Sequence, residues 1–184
     1  MRQLEVRSER KYRLNLSWDY DKEEAWLNEL SSQGLHLKKA GFLSGAFSRD
    51  ESARYTYSLD YQPGFLKHGK LQEYIDLYQD AGWEYVCTYG GIWHYFRRAW
   101  QPGETPRLYT DMASLVTHYR KIQRMMGIML LLNMGIFLMN MMNLLLRNNL
   151  WTIVIPVVGI YVLLLGLFLY GYVKMGRKIS KLTR

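Results

Sequence analysis

The sequence predicts an α+β domain followed by a two-helix transmembrane hairpin, and three observations predict it. Two uncharged apolar runs, 125–146 and 150–173, are separated only by Arg147, Asn148 and Asn149. Each run has about the 20 residues that a helix needs to cross the hydrocarbon core of a bilayer. The charge is split along the chain: residues 1–117 hold fifteen Lys/Arg against sixteen Asp/Glu, and residues 118–184 hold nine Lys/Arg and no acid. Ahead of residue 101, runs of alternating apolar and polar residues interleave with two helical patterns. That order suits a ferredoxin-like split βαβ repeat, with a mainly antiparallel sheet and both helices on one face.

The first strand is read at Tyr12, Leu14, Leu16 and Trp18, which alternate with Arg13, Asn15, Ser17 and Asp19. Asp21 then caps a helix, with Glu24 three residues on as in a capping box. Trp26, Leu27 and Leu30 give this helix an apolar face, and Gly34 suits its end. Leu35 and Leu37 begin a strand, and 42–48 forms another extended run with Gly41 and Gly45 as bends. Tyr55, Tyr57, Leu59 and Tyr61 mark the clearest strand, broken by Pro63-Gly64. Leu71, Tyr74, Ile75, Tyr78 and Ala81 share a helix face that Gly82 ends. Trp83, Tyr85 and Cys87 form one strand face, Gly90-Gly91 a turn, and 92–98 the last strand. The two halves repeat weakly: Trp26-Leu27, Leu30, Gly34-Leu35 and Leu37 align with Tyr74-Ile75, Tyr78, Gly82-Trp83 and Tyr85. The domain is read as 1–100. Residues 101–124 are a linker and juxtamembrane amphipathic helix capped by Thr110, either continuous with the first span or bent upward at 124–127.

The charge split removes one reading of the high pI of about 9.5. A nucleic-acid-binding protein carries its basic patch on the folded domain, and here that domain is balanced, so no nucleic-acid partner is expected. Arg120, Lys121 and Arg124 precede the first span, and Lys174, Arg177 and Lys178 follow the second, leading into a basic tail, 174–184. Lys and Arg accumulate on the cytoplasmic side of membrane helices. The expected location is therefore the cell membrane, multi-pass, with both termini cytoplasmic and the 147–149 loop external. The N-terminus has no apolar core of a signal peptide. Cys87 is the single cysteine, which excludes an intrachain disulfide and suits a reducing cytosol.

Three blocks resemble a bacterial family known as domain of unknown function 2812. They are Trp26-Leu-Asn-Glu-Leu-Ser-Ser-Gln-Gly-Leu-His-Leu, Tyr55-Thr-Tyr-Ser-Leu-Asp-Tyr, and Tyr74-Ile-Asp-Leu-Tyr-Gln-Asp-Ala-Gly-Trp-Glu-Tyr-Val with Trp93-His-Tyr-Phe-Arg. The resemblance covers about residues 12–98. It implies C-terminal membrane spans and a setting beside PadR-type transcriptional regulators. It implies no activity and no catalytic residues.

Trp18, Trp83, Trp93, Tyr57 and His94 are the candidate contacts for a ligand or partner, as an aromatic-lined pocket or groove. The plainer explanation, large rings filling a small core, is the stronger one. As a general base, His94 needs an orienting carboxylate such as Glu84 or Asp60 within hydrogen-bond reach. No spacing among His36, His68, His94, His118 and Cys87 suggests a metal site or a nucleophilic set, so no metal, no cofactor and no enzyme activity are expected. In the spans, Asn133, Asn140 and Asn143 lie near one helix face, and Gly159 and Gly166 share a second seam. Such small and amide residues join membrane helices, here within the hairpin, to another membrane protein, or to a second copy of the chain. Pro156 is expected to kink the second span.

The expected function is a membrane-anchored regulatory or adaptor protein whose cytosolic domain binds a partner protein or small ligand. The first alternative is an accessory subunit of a transporter or envelope complex, with the hairpin as interface. The second is an enzyme acting on a membrane-delivered substrate through the aromatic face and His94.

Overall fold

The computed structural model describes residues 8–64, 70–104, 108–109, 111–145 and 151–183. Arg147 and the expected loop at 147–149 lie outside them, as does Thr110. The chain divides into two compact units, 1–110 and 111–184.

The first unit is mixed α+β. Strands β1 (Ser8–Tyr12), β2 (Leu35–Lys39) and β3 (Ser44–Arg49) form one antiparallel sheet in the order β1-β3-β2. Strands β4 (Tyr55–Tyr61), β5 (Glu84–Tyr89) and β6 (Trp93–Ala99) form a second, in the order β4-β6-β5. Helix α1 (Tyr20–Ser32) joins β1 to β2, and α2 (Lys70–Asp80) joins β4 to β5. The sequence repeat is thus a structural one. Each half is a β-α-β-β unit whose third strand inserts between the other two. The halves do not merge into the single ferredoxin-like sheet that the pattern suggested.

The reason lies at the edge of β4. Its outward N–H groups need partners, because an open sheet edge recruits other strands. Helix α1 supplies them with side chains. Ser31 Oγ accepts from Tyr55 N–H (2.7 Å), Asn28 Oδ1 from Tyr57 N–H (2.6 Å), and Glu24 Oε1 from Leu59 N–H (2.7 Å) and the Ser58 hydroxyl (2.8 Å). Residues 24, 28 and 31 stand one helical turn apart, and 55, 57 and 59 are the alternate residues of a strand. The two periods match along this length, so a helix closes the edge.

This use of Glu24 corrects the expected capping box. The residue before α1 is Asp19, and its side chain makes no cap hydrogen bond. The expected strand at 12–18 is corrected too. β1 ends at Tyr12, and Trp18 sits in a short 3-10 turn, Ser17–Asp19. Pairing continues irregularly past the strand, through Arg13 N–H to the Leu43 carbonyl (2.9 Å) and Asn15 N–H to the Phe42 carbonyl (3.1 Å). Both helix ends behave as read. Gly34 (φ +74°) follows α1, and Gly82 (φ +81°) follows α2 with Trp83 N–H closing onto the Tyr78 carbonyl (2.9 Å). A positive φ is what glycine adopts without steric cost.

The second unit is two helices, α3 (Met112–Leu145) and α4 (Trp151–Leu182). Asp111 begins α3, its carboxylate accepting Ser114 N–H (2.8 Å). The helix then runs unbroken through 124–127, so the juxtamembrane segment and the first apolar run are one rod. Both helices are long and apolar enough to cross a membrane, with mean hydropathy 1.8 and 2.3 over their most apolar windows. Only 6 % and 11 % of those windows is buried, unlike the core helix of a water-soluble protein. Pro156 lies inside α4.

Candidate functional site

Five aromatic and histidine candidates can now be placed. Trp18, Tyr57, Trp83, Trp93 and His94 are all buried. Trp93 packs between Tyr20 (centroids 5.7 Å apart) and Tyr61 (5.3 Å) and donates its indole N–H to Ser17 Oγ (3.3 Å). The Tyr57 hydroxyl accepts Leu37 N–H (3.0 Å) and so joins the two sheets. These residues build the core.

His94 is held at both nitrogens. The Gln62 carbonyl can only accept, so Nε2 carries the proton and donates to it (3.2 Å). Nδ1 therefore accepts from the Thr88 hydroxyl (2.7 Å), which itself accepts from Tyr85 (2.7 Å). Desolvation lowers the His94 pKa and keeps the ring neutral. Glu84, one of its expected orienting partners, is bound instead by Arg97 through two hydrogen bonds (2.6 and 2.8 Å). The ring completes a core network and offers no nitrogen to a substrate. Cys87 is half-buried, and burial pushes its thiol up to about 11, so it packs as a small apolar group.

Two arrangements were not read from the sequence. The first centres on Asp60, fully buried on β4. Its carboxylate accepts the hydroxyls of Tyr74 (2.5 Å) and Tyr78 (3.3 Å) from α2, and that of Tyr109. Tyr109 stands three residues ahead of α3 in the sequence. The segment leading to the long helix is therefore fastened to the domain by a charge-assisted hydrogen bond, the stronger kind. Tyr74 and Tyr78, one helical turn apart, were the available signal. Asp60 itself fell on the polar side of the strand alternation, where exposure was expected.

The second is a cleft of about 430 Å³ where β2 and β5, the outer strands of the two sheets, come side by side. His36, Lys38, Ser48 and Asp50 line one wall, and Tyr55, Glu84, Tyr85 and Arg97 the other. The Arg97 guanidinium lies over the Tyr55 ring (4.2 Å) while it holds Glu84. His36 is buried there, donating to the Asp50 carbonyl (2.8 Å) and accepting from Ser31 (3.3 Å). The walls offer charges of both signs, hydroxyls and ring edges. Among the described residues no group of three or more His, Cys, Asp or Glu could hold a metal ion.

In the hairpin, the expected asparagine-on-glycine seam is replaced by another. Asn140 Nδ2 donates to the Tyr161 hydroxyl (2.7 Å), and Asn133 turns back to the Met129 carbonyl of its own helix (2.9 Å). Asn143 is exposed. Gly159 and Gly166 are exposed, and nothing lies within 4 Å of where a Cβ would stand. Close approach occurs instead at Gly127, where a Cβ would stand 3.4 Å from the Tyr172 ring, and at Gly176, where one would stand 2.9 Å from the Gln123 amide nitrogen. These contacts bring the basic clusters together at one end of the hairpin: Arg120, Lys121 and Arg124 beside Lys174, Arg177 and Lys178. There Lys178 lies over the Tyr119 ring (5.6 Å).

The chain is thus an α+β domain of two repeated units followed by a pair of long apolar helices. It belongs to the family described as "Protein of unknown function (DUF2812)", whose model matches residues 19–131. The match spans most of the domain, the segment carrying Tyr109, and α3 as far as its apolar part. No curated protein and no solved structure matches the chain.

Proposed function

We propose that this chain is a membrane-anchored regulatory or adaptor protein. Its α3–α4 hairpin crosses the cell membrane with both termini cytoplasmic, and its cytosolic domain binds a small polar ligand or a partner's loop in the β2–β5 cleft. The joint between Asp60 and Tyr109 carries the reading. It fixes Tyr109, three residues before α3 in the sequence, and α3 is one uninterrupted helix of 34 residues. The basic clusters gathered at one hairpin end support the orientation. The family match across domain and connector supports their acting together.

The test is affinity purification of the tagged, full-length protein from native membranes in mild detergent, beside a Ser48→Arg variant that fills the cleft. A specific partner, or a ligand that raises the thermal midpoint, should be lost in the variant. If wild-type protein yields neither, the reading fails.

A second reading, an accessory subunit of a transporter or envelope complex, is favoured by the unfilled space beside Gly159 and Gly166. It predicts that Gly159→Leu abolishes co-purification of a membrane partner while the protein's own melting is unchanged. Undiminished co-purification would count against it.

A further inference from the structure

The tip of the first sheet carries four large side chains that the core does not use. Tyr12 is 76 % exposed, Leu14 53 %, Phe42 51 % and Leu43 58 %. They form one patch, because residues 12–15 run beside 41–44. Tyr12 pairs with Ser44, Arg13 N–H reaches the Leu43 carbonyl, Asn15 N–H reaches the Phe42 carbonyl, and the Asn15 amide reaches the Gly41 carbonyl (3.2 Å). A solvent-exposed patch this apolar marks an interaction surface.

The charges around it say what the surface meets. Strands β1, β2 and β3 with the segments at their tip, residues 8–18 and 35–49, hold six Lys/Arg against one acid, Glu9. The other residues of 1–117 hold nine Lys/Arg and fifteen acids. This sheet is thus the basic part of a balanced domain. Two of the six are occupied: Glu9 binds Arg49 (2.9 Å) and Lys11 (3.4 Å). Arg13 lies over the Trp26 ring (5.3 Å). Arg10 and Lys39 both pair with Ala46, one on each side of β3, and both are exposed, as is Lys38.

We propose that this tip docks on the membrane surface, with Phe42, Leu43, Tyr12 and Leu14 entering the interfacial layer and Arg10, Lys38 and Lys39 meeting anionic headgroups. An aromatic and aliphatic tip ringed by Lys and Arg is the chemistry that binds such an interface, and anionic lipid attracts each nearby cation. A protein partner would need its own acidic, apolar counter-surface, whereas a chain anchored in a bilayer has this one always at hand, as an intramolecular partner at high effective concentration. The proposal rests on the membrane-anchored reading above.

A photoreactive residue tests it in the full-length protein in vesicles containing phosphatidylglycerol. The variants are Phe42→p-benzoylphenylalanine, Gln79→p-benzoylphenylalanine on the exposed side of α2, and Leu131→p-benzoylphenylalanine in the apolar part of α3, where Leu131 is 74 % exposed. All three sites are at the surface, so the fold is undisturbed. Lipid adducts are expected at 131 and 42, with several-fold less at 79. Adding Arg10→Glu and Lys39→Glu, or using neutral phosphatidylcholine vesicles, should cut the yield at 42 several-fold and leave 131 unchanged. Adducts at 131 with no more at 42 than at 79 overturn the docking and leave the anchoring standing. Absence at 131 overturns the anchoring itself. A protein adduct of twice the chain mass at 42 overturns the docking in favour of a second copy.

Discussion

Glu23 and Glu24 are adjacent on α1 and do different work. Glu23 accepts the Tyr95 hydroxyl (2.7 Å), and Glu24 holds the edge of β4. Burial pushes both carboxyls up to about 7, above the ~4.3 of a free glutamate. The fold thus favours the protonated form. Their contribution to stability is complete below about pH 4 and is lost as pH rises through about 7. The thermal midpoint of the intact protein in detergent should therefore fall between about pH 5 and pH 8, and Glu24→Gln should flatten that fall. A difference between variant and wild type that does not change with pH would refute this. Glu24→Ala leaves Leu59 N–H and the Ser58 hydroxyl unpaired, at a cost of about 1–3 kcal/mol for each buried group. At the joint, Tyr109→Phe removes one of three hydroxyls from Asp60. It should cost about 1.5–3 kcal/mol and speed amide hydrogen exchange around position 109. Unaltered melting and exchange would show that the joint holds nothing.

Among the elements, α1 stands where a neighbouring strand would otherwise pair with β4. The sequence assigns Glu24 to a capping box. That assignment looks only along the helix, and the partners of Glu24, Asn28 and Ser31 lie 24 to 35 residues away. The helix ends were legible because glycine at a left-handed position is a local signal. They are not equivalent, however. A Cβ on Gly34 would meet Glu51 Cγ at 2.9 Å and Glu51 Cα at 3.1 Å, whereas a Cβ on Gly82 meets only the Arg98 Nε, at 4.0 Å. Gly82→Ala should cost about the 1–2 kcal/mol of left-handed strain alone. Gly34→Ala should cost more, because backbone and side chain of Glu51 must also move. Equal unfolding free energies for the two variants would contradict the placement of 50–52 against the helix end.

For the whole molecule, the hairpin contacts predict an asymmetry between glycines of similar sequence context. Gly127→Leu drives a side chain into the Tyr172 ring and should lower the thermal stability of the helical unit in detergent. Gly159→Leu adds its bulk to open space and should leave that stability unchanged. If the two behave alike, the α3–α4 face has been wrongly assigned. The sequence by itself determined what depends on local chemistry: the apolar runs and their lengths, the charge split, the glycine-terminated C-terminal ends of α1 and α2, and the order of elements in each repeated half. Those follow from periodicity and composition, which are properties of neighbours along the chain. Only the tertiary structure decided that the halves form two sheets, that Trp18, Trp83, Trp93 and His94 are core, and that Asp60 gathers three tyrosines. It also decided which glycines meet a partner helix. Each of these depends on a side chain finding a hydrogen-bond partner or a space far away in sequence, and no spacing along the chain encodes that distance.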